Sequence, residues 1–238
     1  MPSAVQSRRE RRRSALCWTA AVRPVVAFTM RLGRDQSGMG RIIKAKELRA
    51  KKTVAFARWL LGKQLVRRHA DGRVEARMIV ETEAYDGERD RACHARAGRT
   101  KRTEVMYSAG GVWYVYLCYG VHEMLNLVVG PQDWPAAVLI RGVAAASGPG
   151  RVTKALQIGR ELNGVEATRA AGGLWLEDAG VRVPRSAVTA APRVGVDYAG
   201  PVWAGKRWRF IFAPEARDEG GARPRRRRAR SIRGSDRV

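Results

Sequence analysis

Along the chain, apolar residues alternate with polar ones in some stretches and recur every three or four positions in others, and the change of period marks the elements. TVAFARWLL, Thr53 to Leu61, has helical spacing, a threonine able to cap its start and Gly62 placed to end it. This predicts a short amphipathic helix. QLVRRH (64–69) and VEARMIVETEAY (74–85) are β-rich runs around Ala70, Asp71 and Gly72, and predict a hairpin with an Asp-Gly turn. Arg89 to Met106 is polar and irregular and reads as a loop over a surface. GGVWYVYLCYGVHEMLNLVVG (110–130) predicts a second hairpin turning at Tyr119-Gly120, and AAVLIRGVA (136–144) a further strand. Behind Gly148-Pro149-Gly150, RVTKALQIGREL (151–162) predicts a helix that LNGV ends. GGLWLED (172–178), APRVGVDYAG (191–200) and KRWRFIFA (206–213) supply the last short strands.

No internal repeat and no clear linker interrupts this order, and 238 residues with 45% hydrophobic content can build a substantial core. The pattern predicts a single α+β domain at residues 45–213, with a strongly curved, mainly antiparallel sheet and flanking helices. Outside it, RRERRR (Arg8 to Arg13) and RPRRRRAR (Arg223 to Arg230) lack apolar periodicity. Residues 1–44 and 214–238 therefore read as disordered basic arms. ALCWTAAV (15–22) is too short to span a bilayer and lacks a convincing cleavage site, and MGRIIKAKEL at Met39 offers an alternative start.

Charge narrows the range of partners. The formal net charge is +24 with a pI near 11.3, and residues 45–213 alone keep about +11. Such a balance points to a polyanion, either nucleic acid or an anionic membrane surface. No apolar run approaches the ~20 residues of a spanning helix, so no membrane insertion is expected. Cys17, Cys93 and Cys118 have neither metal-ligand spacing nor an even-numbered framework, which suits a reducing cytoplasm and predicts no metal site.

The candidate chemistry starts at VETEAYDG (80–87). In an extended chain Glu81, Glu83 and Tyr85 share one side, while Val80, Thr82 and Ala84 share the other. Two acids and a ring on one side are either a solvated face or the floor of a site. A glutamate aimed into an aromatic pocket can act as general base on a water. Trp113, Tyr114, Tyr116 and Tyr119 lie near the basic cluster Arg96, Arg99, Lys101 and Arg102. Such rings either pack a core or form a platform for bases taken out of a stack. Tyr119, beside Gly120 at a hairpin tip, is placed to serve as a wedge between base steps.

Taken together, VETEAYDG, DRACHARAGRTKRTEVM, YVYLCYGVHEMLN, VLIRG, GPGRVTKAL and RVGVDYAG resemble, in order and approximate spacing, the alkyladenine or 3-methyladenine DNA glycosylase family. The resemblance runs from about Ala45 to Ala213. It implies a compact domain with a curved antiparallel sheet and a protruding hairpin that inserts into DNA. It also implies a monomeric base-excision-repair enzyme that flips alkylated purines out of double-stranded DNA and hydrolyses the N-glycosidic bond, without a cofactor. By this resemblance Glu83 is the general base. Tyr85, His94 and Tyr116 sandwich the flipped base, Tyr119 intercalates, and Asn126 crowds the exocyclic amine of guanine. Arg141 and the backbone carbonyl of Val194 hold the water site, and Arg141 also meets a nearby phosphate. Glu81 matches no catalytic position. Where the family commonly continues LIRA with Glu-Pro, this chain has Gly142-Val143-Ala144-Ala145 after Arg141, which puts the local support of the site in question. No lysine matches a nucleophile, so simple hydrolysis without strand cleavage is expected. Two other readings stand beside this one: a non-catalytic protein coating nucleic acid, and an O-glycoside hydrolase using Glu81 and Glu83 as a carboxylate pair.

Overall fold

The computed structural model describes residues 40–49 and 52–214, so the basic runs of both arms lie outside the described residues. In chain order the elements are β1 (Arg41–Ile42), α1 (Ala45–Arg49), α2 (Thr53–Trp59), β2 (Gln64–Arg68), β3 (Val74–Asp86), β4 (Trp113–Cys118) and β5 (His122–Val129). After these come β6 (Ala136–Val143), β7 (Ala146–Ser147), α3 (Pro149–Ala155), β8 (Leu174–Asp178), β9 (Val188–Ala191), α4 (Pro201–Ala204) and β10 (Arg209–Phe212). Every described pairing is antiparallel, and the main sheet runs β1-β8-β2-β3-β6-β5-β4 without closing on itself. The expected α+β class with a mainly antiparallel sheet is what forms. β1 lies in the last residues of the stretch read as the N-terminal arm, and Ile43 behind it is fully buried.

β3 organises the domain. Its first half, Val74–Met78, pairs with β2, its second half meets β6, and β10 lies against Glu81 to Glu83. The register against β6 shifts on both sides of Glu81, a bulge that twists the strand where the site begins. Beyond it the alternation expected from sequence holds. Thr82 donates its hydroxyl to Ala57 O at 2.8 Å and Ala84 joins the core, while Glu83 and Tyr85 face the other way. The core beneath is apolar and includes Phe56, Trp113, Leu125, Ile140 and Phe210, all sealed from solvent. Burying side chains of this size contributes about 1.5–3 kcal/mol each.

Several boundaries differ from the sequence reading. α2 ends at Trp59 and takes no side-chain cap; Thr53 sits inside the first turn and donates to Asp86 Oδ1 at 2.5 Å, tying the helix to the end of β3. The helix expected over 151–162 stops at Ala155, and its second part becomes a separate 3₁₀ turn at Arg160–Leu162, because Gln157 takes a positive φ of 50°. Arg89 to Met106 is not a surface loop throughout: Asp90, Ala92, Cys93, Ala95, Thr103 and Met106 are buried. APRVGVDYAG is not a strand. β9 ends at Ala191, Pro192 cannot donate to a ladder, Gly195 has a φ of 72°, and the segment forms a loop with a 3₁₀ turn at Asp197–Ala199.

Candidate active site

The polar end of β3 opens into a cleft of about 430 Å³. Glu83, Tyr85, His94, Tyr116, Tyr119, Asn126, Arg141 and Val194 all line it, so the structure brings the eight residues that the resemblance assigned to a site into one space, without Glu81 or Trp113. They come from five segments: β3, the 3₁₀ turn after Cys93, the β4–β5 hairpin, β6 and the loop after β9.

Glu83 lies at the floor with no exposed surface. Its Oε1 accepts the Val194 N–H at 2.9 Å, its Oε2 accepts the Tyr85 hydroxyl at 2.8 Å, and Arg141 Nε lies 3.7 Å from Oε1. Burial raises the pKa of this carboxyl, and the Arg141 charge, the Val194 N–H and the Tyr85 hydroxyl act against that rise. The Val194 N–H and the Tyr85 hydroxyl hold the two carboxylate oxygens in one orientation at the foot of the cleft. Val194 thus meets Glu83 through its N–H, an atom distinct from the carbonyl that the resemblance assigns to the water site.

Glu81 has a different environment. Its Oε1 accepts from Arg141 Nε at 2.9 Å and from Arg209 Nη1 at 3.0 Å, and it does not line the cleft. Two guanidinium groups neutralise it, and Arg141 is in turn fixed between the two acids. Gly142, where this chain departs from the LIRA pattern, faces Glu81 across the pair: a Cβ there would lie 3.0 Å from Glu81 Cβ. The missing side chain leaves Glu81 its space.

The rings form the wall. His94 Nδ1 meets the Tyr114 hydroxyl at 3.0 Å, and the His94 and Tyr116 rings touch edge to face, 4.5 Å between centroids. The Arg102 guanidinium lies over Tyr116 at 5.1 Å and that of Arg193 over Tyr85 at 4.9 Å. Tyr85, His94 and Tyr116, the rings expected to sandwich a base, thus line one cleft, and the protein's own cations lie over part of the Tyr85 and Tyr116 faces. Burial, then the charges of Arg102 and Arg96, lower the His94 pKa to about 4. The imidazole is neutral at pH 7 and binds its proton only well below the ordinary value of 6.5. The unfolded chain therefore holds more protons between about pH 4 and 6.5, and this group favours folding less as pH falls through that window. In an NMR titration the His94 ring should remain unprotonated at pH 5, and a midpoint near 6.5 would contradict this environment.

Asn126 is buried, and its Nδ2 donates to the backbone oxygens of Tyr114 and Met124 at 3.2 and 3.3 Å. Two acceptor-only partners fix the amide orientation, and Oδ1 takes no part in these bonds. Tyr119 stands at the hairpin tip, 94% exposed. Val121 N–H donates to Cys118 O at 3.1 Å, and Tyr119 and Gly120 have φ of 50° and 70°, the left-handed pair that a type I′ turn requires.

The sequence reading missed what holds the loop after β9 in place. Arg193 and Asp90 form a two-pronged ion pair at 2.5 and 2.9 Å with both side chains sealed from solvent, and Arg193 also donates to Ala84 O at 2.8 Å. This locks the neighbouring Val194 N–H onto Glu83. The only available signal was an arginine inside an otherwise apolar stretch; its acid lies more than a hundred positions away, and no local pattern connects them. Arg209, which holds Glu81, was equally silent. Among the described residues no group of three or more His, Cys, Asp or Glu is placed to hold a metal ion, and no helix is long and apolar enough to cross a membrane.

A basic α+β domain with a sealed carboxylate beneath aromatic rings has the build of an enzyme that works on nucleic-acid bases. Comparison with known proteins gives the family. The methylpurine-DNA glycosylase (MPG) profile matches residues 47–146 and 143–216, and the chain belongs to that family of DNA-repair glycosylases. It is 46% identical over 181 residues to a protein of Anaeromyxobacter dehalogenans (strain 2CP-C) named "Putative 3-methyladenine DNA glycosylase", covering 70% of this chain and 82% of the relative. Proteins of the same name from Psychrobacter cryohalolentis and Chlamydia pneumoniae are 43% and 37% identical, each covering 68% of this chain and 88% and 90% of the relative.

Proposed function

We propose that the cleft receives an alkylated purine turned out of duplex DNA and that Glu83 activates the water that hydrolyses its N-glycosidic bond. The observation that carries this reading is the sealed Glu83 carboxylate, held by the Val194 N–H and the Tyr85 hydroxyl at the foot of the cleft that Tyr116, His94 and Asn126 line. Alkylation at N3 or N7 makes a purine cationic, and a cation gains about 0.5–2 kcal/mol against aromatic faces. Arg102 and Arg193 already use those faces in this way. A cationic base is also a good leaving group, and the ionised Glu83 opposes the positive charge that grows on the sugar as the bond lengthens. 3-Methyladenine and 7-methylguanine are the expected products, with hypoxanthine and ethenoadenine as further candidates. Among the described residues no lysine lines the cleft, which favours hydrolysis without a Schiff base or strand cleavage.

The other two readings fit less well. Glu81 does not line the cleft and is neutralised by Arg141 and Arg209, which speaks against it as the partner acid of an O-glycosidase. A protein that only coats nucleic acid has no use for a sealed carboxylate, whose desolvation is costly. The direct test incubates the purified chain with methylated duplex DNA and follows free bases by chromatography; binding without release would overturn the reading. Tyr119→Ala should lower excision from duplex more than from single-stranded DNA, because only the duplex has a gap to fill. Equal losses on both substrates would argue against a wedge.

A further inference from the structure

A second, more open depression lies beside the cleft, lined by Glu88, Arg89, Arg91, Arg96, Ala97 and Tyr198. Arg89, Arg91 and Arg96 are exposed, and none of them is in a salt bridge among the described residues. Glu88 is the only acid at its edge, and one of its oxygens is engaged by the Tyr107 hydroxyl at 2.6 Å. Tyr198 lines both this depression and the cleft. Its hydroxyl donates to Ala92 O at 3.0 Å and the Arg96 guanidinium lies over its ring at 4.7 Å, yet the residue remains 59% exposed. The ring is thus fixed at its edge and open on its surface. Arg96 is fixed as well, donating from Nη1 to Arg91 O at 3.0 Å.

We propose that this depression is a backbone-phosphate subsite for the DNA strand that enters the cleft, with Arg89, Arg91 and Arg96 taking consecutive phosphates and Tyr198 marking the boundary with the flipped-base pocket. The inference rests on the proposed DNA-glycosylase function for the identity of the anion. The Arg96 guanidinium, held by the Arg91 carbonyl and the Tyr198 ring, loses little freedom on meeting a phosphate, and among the described residues none of the three arginines has an ion pair to break first. The patch positions the strand and carries no sequence preference.

The test measures the dissociation constant of the full chain for an undamaged duplex as a function of salt. Each lost phosphate contact lowers the slope of log K against log salt by about 0.9, so the Arg89→Ala, Arg91→Ala, Arg96→Ala triple variant should lose about 2–3 from it. The corresponding triple lysine variant should keep most of the slope. Arg89→Ala alone, at a side chain with no bond to the fold, should lose about 1 and decides the matter if the alanine triple does not fold. An unchanged slope in the triple or the single variant overturns the proposal. So does an equal loss in a control with Arg68→Ala and Arg73→Ala, at the opposite end of β3 from the cleft. Base release from methylated duplex by the unmodified chain is followed in parallel. A reduced slope without any release leaves the subsite standing and removes the glycosylase reading; release with an unchanged slope does the reverse.

Discussion

Replacing Glu83 with glutamine should lower single-turnover release of methylated purines about 10²- to 10⁴-fold, the range that a positioned general base contributes. The substitution keeps the shape of the side chain and an oxygen for the Val194 N–H, so duplex affinity should stay within a few-fold of the original. Only the capacity to take a proton from water is lost. A variant that releases bases at the original rate would remove Glu83 from the chemistry and leave the cleft as a binding pocket. The same acid sets the pH dependence. It must be ionised to act, and burial raises its pKa. Release should therefore rise with pH through that raised value and then level off, and the acid limb should vanish in Glu83→Gln.

The second large effect is on stability. Arg193→Met removes one half of a sealed ion pair and leaves Asp90 charged with no counter-ion. Breaking a buried pair in this way costs about 3–5 kcal/mol, which for a domain of this size lowers Tm by roughly 6–20 °C. Differential scanning calorimetry reads it directly, and a change under about 2 °C would show that the pair does not hold the loop. Combining Arg193→Met with Asp90→Leu should recover part of the loss, since no unpaired charge then remains.

These two experiments probe parts of the site that differed in how far sequence revealed them. Glu83, Tyr85, Tyr119 and the second hairpin were legible because strand alternation and a Tyr-Gly turn are local signals, and both survive into the fold. The order of six short motifs then separated Glu83 from Glu81, which alternation alone could not do. Their environments explain the separation: one acid is sealed beneath the cleft, the other clamped by Arg141 and Arg209. The Asp90–Arg193 lock was not legible, because a contact between distant segments leaves no period in either one. The loop after β9 was misread as a strand because its apolar residues serve packing around Ala92 and Val196, not a ladder. The early end of α3 followed from Gln157 adopting a left-handed backbone, a conformation that its side chain does not advertise.

The hairpin tip has a consequence for how this sequence was selected. A tyrosine at φ 50° costs roughly 1–2 kcal/mol over glycine, and a ring left 94% exposed recovers none of it by burial. Asparagine or glycine would suit that turn better, so stability gives no reason for a tyrosine there. Any pressure that keeps the ring comes from outside the fold of the chain itself, and thermostability screens of this protein would be expected to discard Tyr119 among their first changes.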